Sequence, residues 1–137
     1  MTDSRPIAQV PWQVTMDEFI RAADDVSEDG ACCMFLIDES IPKSARSGYA
    51  ALVIAYARAS EPVCILDDGS AALLVRDGGI ASGEIVARRI LDQLHRLSLE
   101  QTLRAGVAPL GADAAGAVAS ARSAAASAQA GSIGTAG

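Results

Sequence analysis

Aromatic residues are scarce in this chain. They make up 4% of its 137 residues, as one tryptophan, two tyrosines and two phenylalanines. A core built on ring packing is therefore excluded. Half of the residues are hydrophobic, so the core must come from Ala, Val, Ile and Leu, which suits a sheet covered by helices. Positive charge is also short. Eleven Lys and Arg face 17 Asp and Glu, for a net charge of −6. A nucleic-acid polymer needs a positive field and is excluded as a partner. A small anionic ligand is not, because two or three local arginines can hold one whatever the global charge. Long apolar runs are missing as well. Nothing approaches the roughly 20 residues needed to span a bilayer, and Met1 to Pro11 has no apolar signal core. The expectation is a soluble, cytoplasmic chain without membrane insertion. At this length one domain with a single core is expected.

Histidine and cysteine are few. His95 stands alone, and the three cysteines are Cys32, Cys33 and Cys64. An odd number fits a reducing compartment. No metal-ligand spacing is present, so neither metal nor cofactor is expected. Cys32 and Cys33 are adjacent in an apolar run and would point to opposite faces of a strand as small buried hydrophobes. No Ser-His-Asp or Cys-His set is suggested by spacing. Asp77-Gly78-Gly79 lacks the lysine of a phosphate loop.

What is present reads as alternating helices and strands. Residues 1–13, polar with two prolines, read as a flexible arm. Thr15 caps a helix with Asp17 and Glu18 in its first turn, and Met16, Phe19, Ile20, Ala23 and Val26 share one face. Ala31 to Ile37 is continuously apolar, the pattern of a central strand buried on both faces. Residues 44–60 read as a buried helix, and Pro62 breaks the chain. Val63 to Leu66 and Ala71 to Val75 flank Asp67-Asp68-Gly69-Ser70, a β-hairpin with turn residues at its tip. Ser82 is the expected cap of a helix whose apolar stripe is Ile85, Val86, Ile90, Leu94 and Leu97. Thr102 to Ala108 is a last strand, ended by Pro109. The Ala-rich segment from Ala112 to about Ala130 reads either as a helix or as a low-complexity tail. Gly131 to Gly137 is expected to fray. The fold class is α/β (α+β): a mixed central sheet of about four to five strands with one antiparallel hairpin, covered by helices. The domain is expected over 14–131, with a flexible end at 132–137.

In that order, four strings resemble a GGDEF (diguanylate cyclase) domain across about residues 16 to 131. They are Phe35 to Lys43, similar to the family's first strand and acid-x-acid-x-Phe-Lys run; Asp67-Asp68-Gly69-Ser70, near the Gly-Gly-Asp-Glu-Phe signature; Thr102 to Ala108, similar to its Thr-x-Ser-Ile-Gly-Val-Ala strand; and Ala121 to Gly131, similar to its last helix. The resemblance implies a nucleotide-cyclase-like fold. It also exposes departures. Family cyclases hold two divalent cations with first-strand carboxylates and a hairpin acid. Here Asp38 survives as a vestige, Ser40 replaces the second acid, and Gly69 and Ser70 stand where the signature acids belong. The segment after Lys43 is shortened, Gln129 replaces a phosphate-reaching lysine, and the motif expected around Pro11 to Met16 is absent. The expectation is a domain that is not an enzyme.

Many family members also bind cyclic di-GMP at a second site, an Arg-x-x-Asp before the hairpin and an arginine on the following helix. Arg58-Ala59-Ser60-Glu61 lies at that spacing, and Arg89 matches the helix arginine. Guanidinium groups bond phosphate or the O6/N7 edge of guanine in pairs, and Glu61 would accept from the guanine N1–H and N2–H₂ edge. From spacing alone, Arg58 and Glu61 read equally as a solvated i,i+3 pair. Two functions follow. One is a cyclic di-GMP receptor in bacterial signalling. The other is a ligand-independent interaction scaffold that engages a regulatory protein or a second copy of itself.

Overall fold

A computed structural model of the chain describes residues 11–26, 29–58, 60–97, 103–111, 113–129 and 131–136. In chain order the elements are α1 (Met16–Asp24), β1 (Ala31–Ile37), α2 (Lys43–Tyr56), β2 (Val63–Ile65), β3 (Ala71–Val75), α3 (Gly79–Arg96), β4 (Leu103–Pro109), α4 (Ala114–Ser127) and β5 (Ile133–Thr135). The strands form one mixed sheet in the order β2-β3-β1-β4-β5. All neighbours are antiparallel except β4 and β5, which run parallel.

β1 is central because its sequence leaves it no polar face. Ala31, Cys33, Phe35 and Ile37 pack with Val53 of α2 and with Val86, Ile90 and Leu94 of α3. Cys32 and Met34 point the other way, to Phe19 and Ala23 of α1 and to Ala117, Ala121 and Ala125 of α4. The adjacent cysteines thus divide between the two layers, as alternation requires. α1 is capped by Thr15, as its sequence suggests, and Glu18 completes a capping box: Glu18 N donates to Thr15 Oγ1, and Thr15 N donates to the Glu18 carboxylate. α4 lies unusually close to β4. A Cβ on Gly106 would collide with the backbone of α4 at the Ala121 carbonyl and the Ala125 amide.

Several expectations need correction. α3 begins at Gly79 with Gly78 as its N-cap, so Ser82 lies inside the helix and caps nothing. Ile85 and Leu97 lie outside the core, 69% and 48% exposed, while Ala87 and Leu91 are buried on the inner face. α2 ends at Tyr56, and its buried residues are Ala50 and Val53, so it is a half-exposed helix rather than a buried one. Where fraying was expected, Ile133–Thr135 forms β5, held by Ala136 N donating to Val107 O and Ala105 N donating to Ser132 O. The end of the expected arm is also tied down. Gln13 bridges to Val63, Val63 N donates to Trp12 O, and Trp12 Nε1 donates to Ile54 O at 2.8 Å. The remainder of that arm (1–10), together with Ala59, Thr102, Ala112, Ala130 and Gly137, lies outside the described residues. Among the described residues no helix is long and apolar enough to cross a membrane.

Candidate functional site

Two regions of the fold carry convergent polar groups. The first joins the segment after α2 to β3 and α3. Arg58 and Glu61 are joined by Arg89, 28 positions beyond Glu61, in lining one open concavity of about 390 Å³ with Ser60, Arg76, Asp77, Ser82 and Ile85. Glu61 is the hub and is only 8% exposed. Its Oε1 accepts from Arg89 Nη2 at 2.5 Å and from the Arg58 amide at 2.7 Å. Its Oε2 accepts from Arg89 Nη1 at 3.2 Å. Arg89 Nη2 also donates to the Tyr56 carbonyl at 3.1 Å. The result is a fork-to-fork ion pair that fixes the plane of the Arg89 guanidinium.

The i,i+3 contact read from spacing therefore exists, but it joins the Glu61 carboxylate to the Arg58 backbone rather than to its side chain. Arg58 is exposed, and its guanidinium has no hydrogen-bond partner among the described residues. Arg76, which the sequence reading passed over, adds a third cation to the rim through Nε donating to Ser60 O at 3.1 Å. It sits just after an apolar strand, where only the fold reveals that it faces the same hollow.

The second region joins the end of β1 to the β2–β3 hairpin tip. Phe35 pairs with Ala71, and the buried Ser70 accepts on Oγ from Ile37 N at 3.1 Å, so the tip sits beside the Asp38 end of β1. Asp38 Oδ1 accepts from Ser40 N at 2.9 Å, and this backbone bond is the main cause holding the Asp38 carboxyl below its ordinary value. For Asp68 burial is the largest single influence and pushes upward. Together the Ser70 amide and Arg122 outweigh it and hold the carboxyl low. Asp68 Oδ1 accepts from Ser70 N at 2.9 Å, and Oδ2 meets Arg122 Nη2 at 2.5 Å. Arg122 was legible in one respect: it is the sole charged residue of α4.

The architecture matches solved structures. No protein-family profile and no curated protein matches the chain. A truncated form of PA1120 (TpbB or YfiN) from Pseudomonas aeruginosa comprising only its GGDEF domain is similar, with TM-score 0.62 and 22% identity over 88% of this chain and 86% of that one. A second crystal structure of the PA1120 GGDEF domain gives TM-score 0.63 and 18% identity over 93% of this chain and 99% of that one.

The fold is that of a GGDEF domain. The first region holds Arg58, Glu61 and Arg89, which the sequence resemblance groups together, and the second holds Asp38 and the hairpin tip. The residues at the second region do not fit a pair of divalent cations. Magnesium needs several hard oxygens in near-octahedral array. Here Asp38 is turned to Ser40, and both Asp68 oxygens are engaged by Ser70 and Arg122. Among the described residues no group of three or more His, Cys, Asp or Glu could hold a metal ion.

Proposed function

We propose that this chain is a catalytically inactive GGDEF-like regulatory domain that binds cyclic di-GMP at the Arg58, Glu61 and Arg89 concavity. The observation that carries this reading is convergence: Arg89 meets Glu61, 28 positions away, and Arg58 at one open hollow. The hollow is rimmed by three guanidiniums on a chain whose net charge is −6. A guanidinium has five N–H donors. Among the described residues the Arg58 guanidinium has no partner and is open to a ligand, and Arg89 retains donors beyond those given to Glu61 and Tyr56. Both can engage phosphate oxygens or the guanine O6/N7 edge. Exposed Ile85 offers an apolar surface for a base at the same rim. Glu61 takes a different part from the one its sequence position suggests. Its oxygens are committed to Arg89 and to the Arg58 amide, so it positions Arg89 rather than accepting from guanine.

Titration calorimetry with cyclic di-GMP tests the reading. Binding at tens of micromolar ligand or tighter, lost in Arg58→Ala, is the expected result. No heat from the folded protein at those concentrations rejects it.

A second reading is a ligand-independent scaffold. It is favoured by the outer face of α4, where Ala119, Ser120, Ser123, Ala124 and Ser127 join Gly134 and Thr135 of the sheet edge in an uncharged groove. Small side chains permit close approach of another backbone. Sedimentation of the wild type and of Arg58→Ala separates the two readings. Self-association unaffected by Arg58→Ala and by cyclic di-GMP supports the scaffold, and a monomer at every concentration counts against a homodimer.

A further inference from the structure

We propose that the Arg46 guanidinium acts as a built-in cation that locks the β1–α2 turn onto the β2–β3 hairpin tip, in the role a bound divalent ion would otherwise fill. The inference stands on the contacts of Arg46 and does not depend on cyclic di-GMP binding. Arg46 lies in the second turn of α2, and its three nitrogens donate to three carbonyls. Nε reaches Ile41 O at 3.0 Å, Nη1 reaches Asp68 O at 2.9 Å, and Nη2 reaches Glu39 O at 3.3 Å. Two of these oxygens belong to the turn after β1 and one to the hairpin tip. Carbonyl oxygens converging from two loops repel unless a positive charge sits among them. A planar fork of donors meets that geometry, where a lysine would bring a point charge.

The tip is shaped to receive this side chain. Gly69 has φ +89°, and a Cβ there would come within 2.9 Å of Arg46 Cβ, so glycine both permits the turn and leaves room for the arginine stem. The tip is anchored on its other sides too. Arg122 and Ser70 hold Asp68, and Ser70 ties back to Ile37. The hairpin tip is therefore fixed to α2, α4 and β1 by the protein's own groups. The neighbouring hollow of about 550 Å³ carries Lys43 and Arg46 against Asp67 and Asp68. A further divalent charge entering there would meet two cations and carbonyls already taken.

Hydrogen exchange of the wild type, Arg46→Met and Arg46→Lys, with Mg²⁺ and Mn²⁺ titrated in thermal melts, tests the lock. Arg46→Met keeps the stem against Gly69 and removes the donors. It is expected to speed exchange of the 66–70 amides about tenfold, the scale set by losing one to two kcal/mol of local hydrogen bonding. Amides of β1 and β4 are expected to stay protected. Arg46→Lys is expected to fall between the two. The wild-type midpoint is expected to stay within about 1 °C in millimolar Mg²⁺ or Mn²⁺, whereas an occupied site would raise it by several degrees. Three results would overturn the proposal: unchanged tip exchange in Arg46→Met, equal acceleration of tip and sheet, or saturable stabilisation of the wild type by either ion.

Discussion

Replacing Arg89 by alanine removes both arms of the fork that Glu61 accepts and leaves a nearly buried carboxylate with the Arg58 amide as its remaining partner among the described residues. Breaking a fully buried pair costs about 3–5 kcal/mol, because the survivor remains desolvated. The side chains here retain 23% exposure for Arg89 and 10% for Glu61. Water can therefore reach the arginine side, and we expect about 2–3 kcal/mol for Arg89→Ala. Glu61→Gln keeps the volume and one acceptor and removes the charge, so about 1–2 kcal/mol is expected. The double variant closes a cycle whose coupling should be at least about 1 kcal/mol, since both changes remove the same contact. Denaturant unfolding followed by the single tryptophan gives these values, because Trp12 is anchored to Ile54 O and loses that environment on unfolding. Arg58→Ala is the control. Its guanidinium is exposed and unpartnered among the described residues, so stability should stay within about 0.5 kcal/mol of wild type. That makes Arg58→Ala the clean probe of ligand binding, whereas Arg89→Ala lowers stability and affinity together. A loss under about 0.5 kcal/mol in Arg89→Ala, or zero coupling in the cycle, would refute the view that Glu61 and Arg89 form one unit.

Three further outcomes are expected. Gly106→Ala drives a methyl into the α4 backbone at Ala121 and Ala125. Neither group can rotate away, so a loss above the usual overpacking range of about 1–3 kcal/mol is expected in a urea melt, and a neutral effect would show that α4 sits farther from the sheet. Asp68, held despite burial below its ordinary carboxylate value by the Ser70 amide and Arg122, contributes stability that is present above the ordinary carboxylate range and fades as acid protonates it in the folded state. Acid unfolding of Asp68→Asn should therefore lack part of the wild-type decline below about pH 4, and superimposable profiles would count against the Arg122 pairing. Burial pushes the Cys32 thiol up to about 12 and the Cys33 thiol well above its ordinary value, with Cys64 raised less. Thiol reagents at pH 8 should then label none of the three faster than the protein opens, and rapid labelling of Cys32 or Cys33 in the native state would contradict their burial in opposite layers.

The parts of the fold that could be read from the sequence are those whose cause is local. β1 is legible because seven consecutive apolar residues leave no solvent face. The start of α1 is legible because Thr15 and Glu18 satisfy each other's amides three residues apart. The hairpin is legible because Asp68 folds its own carboxylate onto Ser70. Reading failed where the cause lies elsewhere in the chain. β5 has a Gly-containing sequence with no strand pattern, and it forms because β4 offers an open edge. Gly134 also leaves room for the backbone of Ala124, which a Cβ would strike. Ser82 looked like a cap because serine favours that place. The chain instead turns at Gly78 and Gly79, both with positive φ, and the helix is capped at Gly78 rather than Ser82, four residues early.

The same distinction separates the two polar regions. Arg58, Glu61 and Arg89 could be grouped through the resemblance, but spacing could not tell a solvated pair from a buried hub. That depends on which way Glu61 turns, and its carboxylate turns inward to Arg89 across 28 residues. Arg46 and Arg122 carried no signal of their partnership with the hairpin tip, since Asp68 lies 22 and 54 positions away from them. Gly69 and Ser70, which the resemblance sets where the signature acids belong, read in sequence as simple loss. In the folded chain Gly69 is where the Arg46 stem fits, and Ser70 is the buried bracket between the tip and β1. Both residues thus have structural roles of their own, and an acid at position 69 would set a side chain against Arg46 on a backbone that disfavours it. Gly69→Asp should therefore destabilise the tip rather than recreate a cation site, and a gain of Mg²⁺ affinity in that variant would be the contrary result.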